Sequence, residues 1–336
     1  LANEHMEKLY DVLNQATGLL QKNLKSSMIS ALVEVGEDFA SNEITQEDGL
    51  PDANTTAKLT DLLHQVNLAE YSAEEIRQAL QLVLVRTIAA DQIEPNKQVT
   101  PDALASLVSF MVTTMMPKLP AELKIADIAA GTGNLLYAVM NQLHAAKNVA
   151  VHGYAVDNDE DQLAVASMSA GLQKADVELF HQDAIEPLQF NNIDVAVSDL
   201  PVGYYPVDER AKAFATAAKE GHSYAHHLLL EQAINVLAPG GLGLFYVPSS
   251  VFSTDEAKGL TEWLAKTAYF QGLLALPENF FATKSAQKSL LVLQKPGNGA
   301  KQATQVLLGT FPDLNDTAAF KQFIADVASW HRDNME

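Results

Sequence analysis

Two stretches of the chain combine residue types that can hold a small polar molecule. The first is Ile125-Ala126-Asp127-Ile128-Ala129-Ala130-Gly131-Thr132-Gly133-Asn134, an apolar strand that runs into a glycine-bearing turn and then a helix from Leu135 to Ala145. Gly131 and Gly133 lack a Cβ, so the backbone there can take left-handed angles and let a ligand approach, and the helix start offers unpaired N–H groups. The second is a strand from Val149 to Val156 that ends in Asp157. In a doubly wound sheet an acid at the end of the second strand can accept both hydroxyls of a ribose. Together the two stretches point to a nucleoside-containing cofactor. The dinucleotide fingerprint asks for a third glycine, and the turn continues Asn134-Leu135-Leu136 instead, so NAD is the poorer fit.

With those residues in view, Asp127-Ile128-Ala129-Ala130-Gly131-Thr132-Gly133-Asn134 resembles the first motif of class I S-adenosylmethionine (SAM) dependent methyltransferases. The likeness extends from Thr100-Pro101 to about Lys295. Over that span it is to the N6-adenine methyltransferases related to the methylation subunit of type I restriction systems, and among these to the small YtxK-like group of Gram-positive bacteria. The resemblance implies SAM as cofactor, with Thr100 at its methionine end. It further implies Asp127, Ala129, Gly131, Gly133 and Asn134 along the turn, Asp157 and Asn158 at the ribose, and Asp183 and Ala184 at the adenine. From the residues alone, Thr100-Pro101-Asp102 reads as an N-cap and first turn opening a helix through Met116, and Asp183 as an ordinary strand-end turn.

The strand from Ile193 to Ser198 leads into Asp199-Leu200-Pro201-Val202-Gly203-Tyr204-Tyr205-Pro206. The amino-methylating relatives carry Asn or Asp, Pro-Pro and an aromatic residue here. The resemblance therefore implies that the Asp199 side chain and the Leu200 carbonyl accept hydrogen bonds from a target amine, a catalysis of positioning and electrostatics, with Pro201 and Val202 completing the motif. Two departures stand out: Leu200 replaces the first proline, and Val202 replaces the aromatic residue that stacks on an extruded base. Tyr204 or Tyr205 is a candidate to reach back in its place, and His222 and Tyr224 are candidates for the substrate mouth. His222 and His226 sit four apart in a helix expected to open near Glu220, but without the glutamate of a His-Glu-x-x-His site, so no metal is expected.

The elements that would position these residues are readable from periodicity. Helices are expected over Glu4–Asn23, Lys25–Phe39, Thr55–Val66 and Ser72–Ala90, the last opened by the capping box Ser72-Ala73-Glu74-Glu75 and striped with Leu80, Val83, Leu84 and Ile88. The acidic loop from Asn42 to Asp52 is a candidate hinge. After Asp183, Pro239-Gly240-Gly241 is expected to end one helix and turn into a strand over Leu242–Val247. A helix then follows over Asp255–Thr267, strands over Phe270–Leu276 and Lys288–Leu293, and a short strand with a final helix from Gln302 onward. Leu276-Pro277-Glu278-Asn279-Phe280-Phe281 resembles a wall-forming turn of the same family.

Composition sets outer limits. A chain of 336 residues, 48% apolar and 19% charged, can fill a sizeable core. There is no cysteine, no apolar run near the ~18 residues of a membrane span and no signal-peptide pattern, so a cytoplasmic location away from membranes is expected. Leu1 is no initiator, and the chain is expected to begin inside the native one or to carry added residues. The net charge of −20 opposes duplex binding, which rests on Lys and Arg. Residues 1–95 hold 16 acids against 6 bases. The basic stretch from Thr283 to Lys301, with Lys284, Lys288, Lys295 and Lys301, reads as solvated lysines beside a strand more readily than as a nucleic-acid track.

The expectation is an α-helical domain over residues 1–95 followed, over 96–336, by a mostly parallel seven-stranded α/β methyltransferase domain of the Rossmann-like kind. The activity expected is SAM-dependent methylation of an amino nitrogen, adenine N6 in DNA or another nucleic acid first, with RNA or a protein side-chain amide as alternatives. Two other classes stay open. One is a SAM-binding interaction protein, weak or inactive as an enzyme, whose acidic helices dock a basic partner or a second copy. The other is an NAD-linked enzyme.

Overall fold

The computed structural model describes residues 2–92, 100–281, 283–313 and 315–335, and the domain boundary expected at 95/96 lies outside them. Helices α1 (Ala2–Leu24), α2 (Met28–Ser41), α3 (Ala53–Leu63) and α4 (Ala73–Ala90) form the amino-terminal bundle. Local chemistry sets their starts: the side chains of Ser27, Asp52 and Ser72 each accept from a backbone N–H of the first turn, and Glu75 completes the capping box on Ser72. Their shared core includes Leu9, Leu13, Leu32, Leu59 and Val83.

That core does not end with the bundle. Val165, Met168 and Leu172 of α7 (Glu160–Gln173) belong to the same cluster. At Gly36 in α2 an added Cβ would lie 2.2 Å from the Met168 sulfur, so the glycine allows the two helices to cross at close range. The bundle is thus packed onto the rest of the molecule through α7 rather than carried as a separate unit.

The sheet contains β1 (Glu122–Asp127), β2 (Ala150–Asp157), β3 (Val177–His181), β4 (Ile193–Asp199), β5 (Leu237–Pro248), β6 (Tyr269–Ala275), β7 (Lys288–Gln294) and β8 (Leu307–Thr310), in the order 3-2-1-4-5-7-6-8. Its pairings are parallel except where β7 runs antiparallel to β5 and β6. The first seven strands answer to the seven expected. The short strand foreseen after Gln302 joins them as an eighth, because β8 hydrogen-bonds alongside β6 from Gly272 to Ala275.

Strand alternation divides the core in two. Leu242, Leu244 and Tyr246 of β5 face the cluster with α5 (Asp102–Met115), α6 (Asn134–Lys147) and α11 (Thr317–Met335). Phe245 and Val247 face the cluster with α9 (Ala225–Val236) and α10 (Ala257–Thr267). Each such fully buried side chain contributes roughly 1.5–3 kcal/mol. Pro239-Gly240-Gly241 does not precede the strand as expected but lies inside it. β5 begins at Leu237, and its pairing with β4 shifts register between Ile193 and Val195, where a Cβ on Gly241 would stand 2.9 Å from the Ile193 carbonyl oxygen.

Candidate functional site

Strand order reverses between β1 and β4, which are neighbours although β2 and β3 lie on one side and β5 on the other. A crevice at the carboxyl ends of the strands follows from such a reversal. Asp127, Asp157 and Asp199 are the last residues of β1, β2 and β4, so the topology brings three carboxylates to this one place.

The turn after β1 is held by backbone geometry. Gly131 has φ +54° and Gly133, the N-cap of α6, has φ +75°. A Cβ at Gly133 would lie 2.5 Å from the Tyr137 ring, and one at Gly131 would lie 2.8 Å from the Gln162 Oε1. The Gly131 N–H donates to Asp157 Oδ2 at 2.7 Å, and the Asp159 N–H to Asp157 Oδ1 at 2.9 Å. Burial raises the Asp157 carboxyl above its usual range. Asp127, 1% exposed, accepts from Ser198 Oγ at 2.6 Å and from the Ala129 N–H at 3.1 Å. Burial pushes it up to about 7, and the charges of Asp157 and Asp199 add to the rise. Asn158 is exposed, its carbonyl 3.3 Å from His181 Nε2.

A chain of contacts links this turn to the end of β4. Arg77 of α4, 1% exposed, donates to Asn134 Oδ1 at 2.7 Å, and Asn134 Nδ2 donates to the Thr100 carbonyl at 2.9 Å. Thr100 Oγ1 in turn donates to Asp199 Oδ2 at 3.2 Å. Thr100 is therefore not the N-cap expected of it. Pro101 occupies that position without a side-chain bond, and the threonine hydroxyl is spent on Asp199. Arg77 also pairs with Glu74 and Asp102, which compensates its burial.

The carboxylate of Asp183, which the resemblance sets at the adenine, is already engaged. Asp183 Oδ2 accepts from the Tyr205 hydroxyl at 2.5 Å and from Arg210 Nη1 at 2.6 Å, while Oδ1 caps the Ile185 N–H at 2.9 Å. The Ala184 carbonyl accepts from Gln232 at 2.8 Å. Tyr205, 7% exposed, spends its hydroxyl on Asp183, which leaves Tyr204 as the exposed tyrosine of the pair.

Beyond β4 the side chains of Leu200 and Val202 differ sharply: Leu200 is fully buried, whereas Val202 is 57% exposed and its neighbour Pro201 is exposed too. Tyr204 stacks on Tyr224 with centroids 4.6 Å apart and planes at 13°. Tyr224 also meets His226 and His227 at 5.1 and 5.3 Å. These histidines are 3% and 1% exposed, and burial lowers them to about 3 and about 4, so both are neutral. The helix expected from Glu220 starts at Ala225 instead. His222 consequently lies outside it, shares no helix face with His226, and sits 3.0 Å from Asp208. Among the described residues no group of three His, Cys, Asp or Glu side chains is arranged to hold a metal.

Lys288, the first residue of β7, reads in the sequence as a strand start and one of four lysines, with no role at the site. Because β7 is antiparallel, that residue returns to the crevice end of the sheet: its Nζ forms an ion pair with Asp199 Oδ1 and lies 3.3 Å from the Leu200 carbonyl oxygen. Lys295, at the far end, binds the carbonyls of Asn235 and Leu237 at 3.0 and 2.7 Å. The basic stretch is thus divided between opposite ends of the sheet. Arg77 and Arg210 were likewise missed, since nothing local in their helices marks a residue whose partners are 27 or 57 positions away.

Comparison with known proteins covers both parts of the chain. The YtxK N-terminal helical domain matches residues 7–88, and the N-6 DNA Methylase family matches residues 86–318. An uncharacterized protein YtxK of Bacillus subtilis (strain 168) is 36% identical over 332 residues, 99% of each chain. A crystal structure from Listeria monocytogenes, assigned provisionally to the class I SAM-dependent methyltransferases, superposes with a TM-score of 0.90 at 35% identity, covering 98% of this chain and 99% of that one. The methyltransferase subunit of a type I restriction-modification system from Streptococcus thermophilus shares the fold at a TM-score of 0.68 and 14% identity, over 94% of this chain and 74% of that one.

Proposed function

Because the chain belongs to the N-6 DNA methylase family and carries the YtxK helical domain at its amino end, we propose that it methylates an amino nitrogen, adenine N6 of a nucleic acid first. SAM is the cofactor, and when bound it supplies an electrophilic methyl group. The residues present fit it at the turn: a Cβ on either Gly131 or Gly133 would collide with its neighbours, and the partly buried Asp157 fixes the Gly131 N–H. At the adenine end Asp183 would take the exocyclic amine in place of the Tyr205 hydroxyl or Arg210.

One observation carries the amine reading. Asp199 Oδ1 and the Leu200 carbonyl converge on a single nitrogen, that of Lys288, so a carboxylate and a carbonyl at this site do hold one N–H donor between them. Placed on the same two oxygens, a target amine would be oriented and its electron density drawn toward the nitrogen. The exposed Tyr204, stacked on Tyr224, offers an aromatic face for a base. DNA is favoured over RNA or a protein amide by family membership alone, and the net charge of −20 argues for single strands over duplex. A cytoplasmic location belongs to the same reading; no helix among the described residues is long and apolar enough to cross a membrane.

A second reading, a cofactor-binding protein without turnover that docks a partner through its acidic helices, draws support from the engagement of Asp199 by Lys288. Calorimetry with SAM and S-adenosylhomocysteine is the first test. Micromolar binding by the native chain that is lost in Asp157→Ala supports the cofactor site, and no binding by the folded native chain overturns the methyltransferase reading.

A further inference from the structure

Lys288 stands where the acceptor amine is expected to stand. Its ammonium engages the Asp199 carboxylate and the Leu200 carbonyl together, and Thr100 Oγ1 holds the other Asp199 oxygen. The side chains of Lys288 and Asp199 retain 20% and 26% exposure, so the pair faces the crevice rather than the core. Other groups nearby do not compete for this nitrogen. His226, which feels the Lys288 charge, is neutral, and the acid at the end of β1 is bonded to Ser198 and the Ala129 N–H.

We propose that Lys288 is a built-in pseudosubstrate: it occupies the amine-accepting pair in the resting protein, and an acceptor amine enters by displacing it. The proposal rests on the amine-methylation reading above. An ammonium has no lone pair to offer an electrophilic methyl, so the lysine fills the position without being consumed. Its flexible four-carbon stem allows it to swing to solvent when a neutral amine arrives. The residence of Lys288 reduces the fraction of protein ready to accept, which raises the apparent acceptor KM in proportion and leaves kcat little changed. A lysine that merely stapled β7 to the end of β4 would have the opposite signature, because its removal would loosen the site and slow the reaction.

The test compares the native chain with Lys288→Met, and with Lys288→Gln as a second variant, using labelled SAM and a single-stranded adenine-containing oligodeoxynucleotide. The expected result is unchanged SAM affinity and a kcat/KM about fivefold higher, gained through KM, the upper size of an ion pair that keeps solvent contact. Equal or lower kcat/KM in both variants with SAM bound overturns the proposal, whereas failure of SAM to bind any of the chains overturns the methyltransferase reading beneath it. An activity-independent readout runs in parallel: acylation of the native chain with acetic anhydride, followed by peptide mass spectrometry. Lys288 is expected to react about fivefold more slowly than the exposed Lys284, and to lose that protection in Asp199→Asn. Acylation of native Lys288 at the rate of Lys284 overturns its occupancy of the pair.

Discussion

The two halves of the crevice are built by different means. At the β1–α6 turn the geometry belongs to the backbone: two glycines at positive φ, a helix start, and carboxylates that accept backbone N–H groups. Beyond the ends of β3 and β4 it belongs to side chains brought from elsewhere, with Lys288 arriving from β7 on Asp199, Tyr224 from the start of α9 on Tyr204 and Arg210 from α8 (Asp208–Ala211) on Asp183. A backbone-built half tolerates little change, because each atom of the turn is fixed by φ and by hydrogen bonds. A half assembled from long side chains can be re-equipped by single substitutions while the sheet beneath it stays the same.

That contrast predicts the effects of substitution. The largest is expected at Gly133→Val, which combines φ +75° with a Cβ 2.5 Å from the Tyr137 ring. A loss of about 3 kcal/mol or more in denaturant unfolding, together with loss of SAM binding by calorimetry, is expected. Near-native values for both would break the claim that the turn is set by its backbone.

The acceptor half should instead gain from a change. Val202→Tyr places an aromatic ring on an exposed position beside Asp199, and stacking on a base is worth about 1–3 kcal/mol. The expected outcome is tighter binding of an adenine-containing oligonucleotide by roughly tenfold or more, with SAM affinity unchanged. Unchanged binding would mean that the Tyr204–Tyr224 stack already closes that face.

The smallest expected effect concerns the wall behind that stack. His227 is buried with both ring nitrogens unpartnered, and burial lowers it from 6.5 to about 4. Between those values the unfolded chain binds a proton that the folded chain does not, so stability falls as pH falls from 6.5 toward 4. Asp127, raised by burial from 3.8 to about 7, acts with the opposite sign over much of that range, losing stability as pH rises. The difference between native and His227→Phe chains isolates the histidine: the variant should gain about 1 kcal/mol relative to native between pH 7.5 and pH 5.5, measured by denaturant unfolding. A pH-independent difference would place His227 in contact with water or a partner in the folded state.

Legibility in the sequence followed the same division. The glycine turn, Asp157 and Asp199 could be read because strand, turn and helix signals are local and the acids fall at strand ends. The capping box at Ser72 was legible for the same reason. The start of α9 was misplaced by several residues, since Gly221 at φ +73° and the Tyr204–Tyr224 bridge interrupt a pattern that reads as helical. Thr100 was read as a cap because Thr-Pro-Asp has that form, and only its position opposite Asp199 gave the hydroxyl another partner.

The sequence by itself determined the order of strands and helices, the glycine turn after β1 and the acids that border it, because each depends on φ preferences and on periodicity within a dozen residues. The tertiary structure decided the rest. An antiparallel β7 carries Lys288 back onto Asp199 from 89 residues away, a buried Arg77 ties the helical bundle to Asn134, and Tyr205 with Arg210 closes on Asp183. These contacts pair groups whose separation along the chain leaves no periodic trace, and their energies arise only once the sheet has brought charge and counter-charge out of water together.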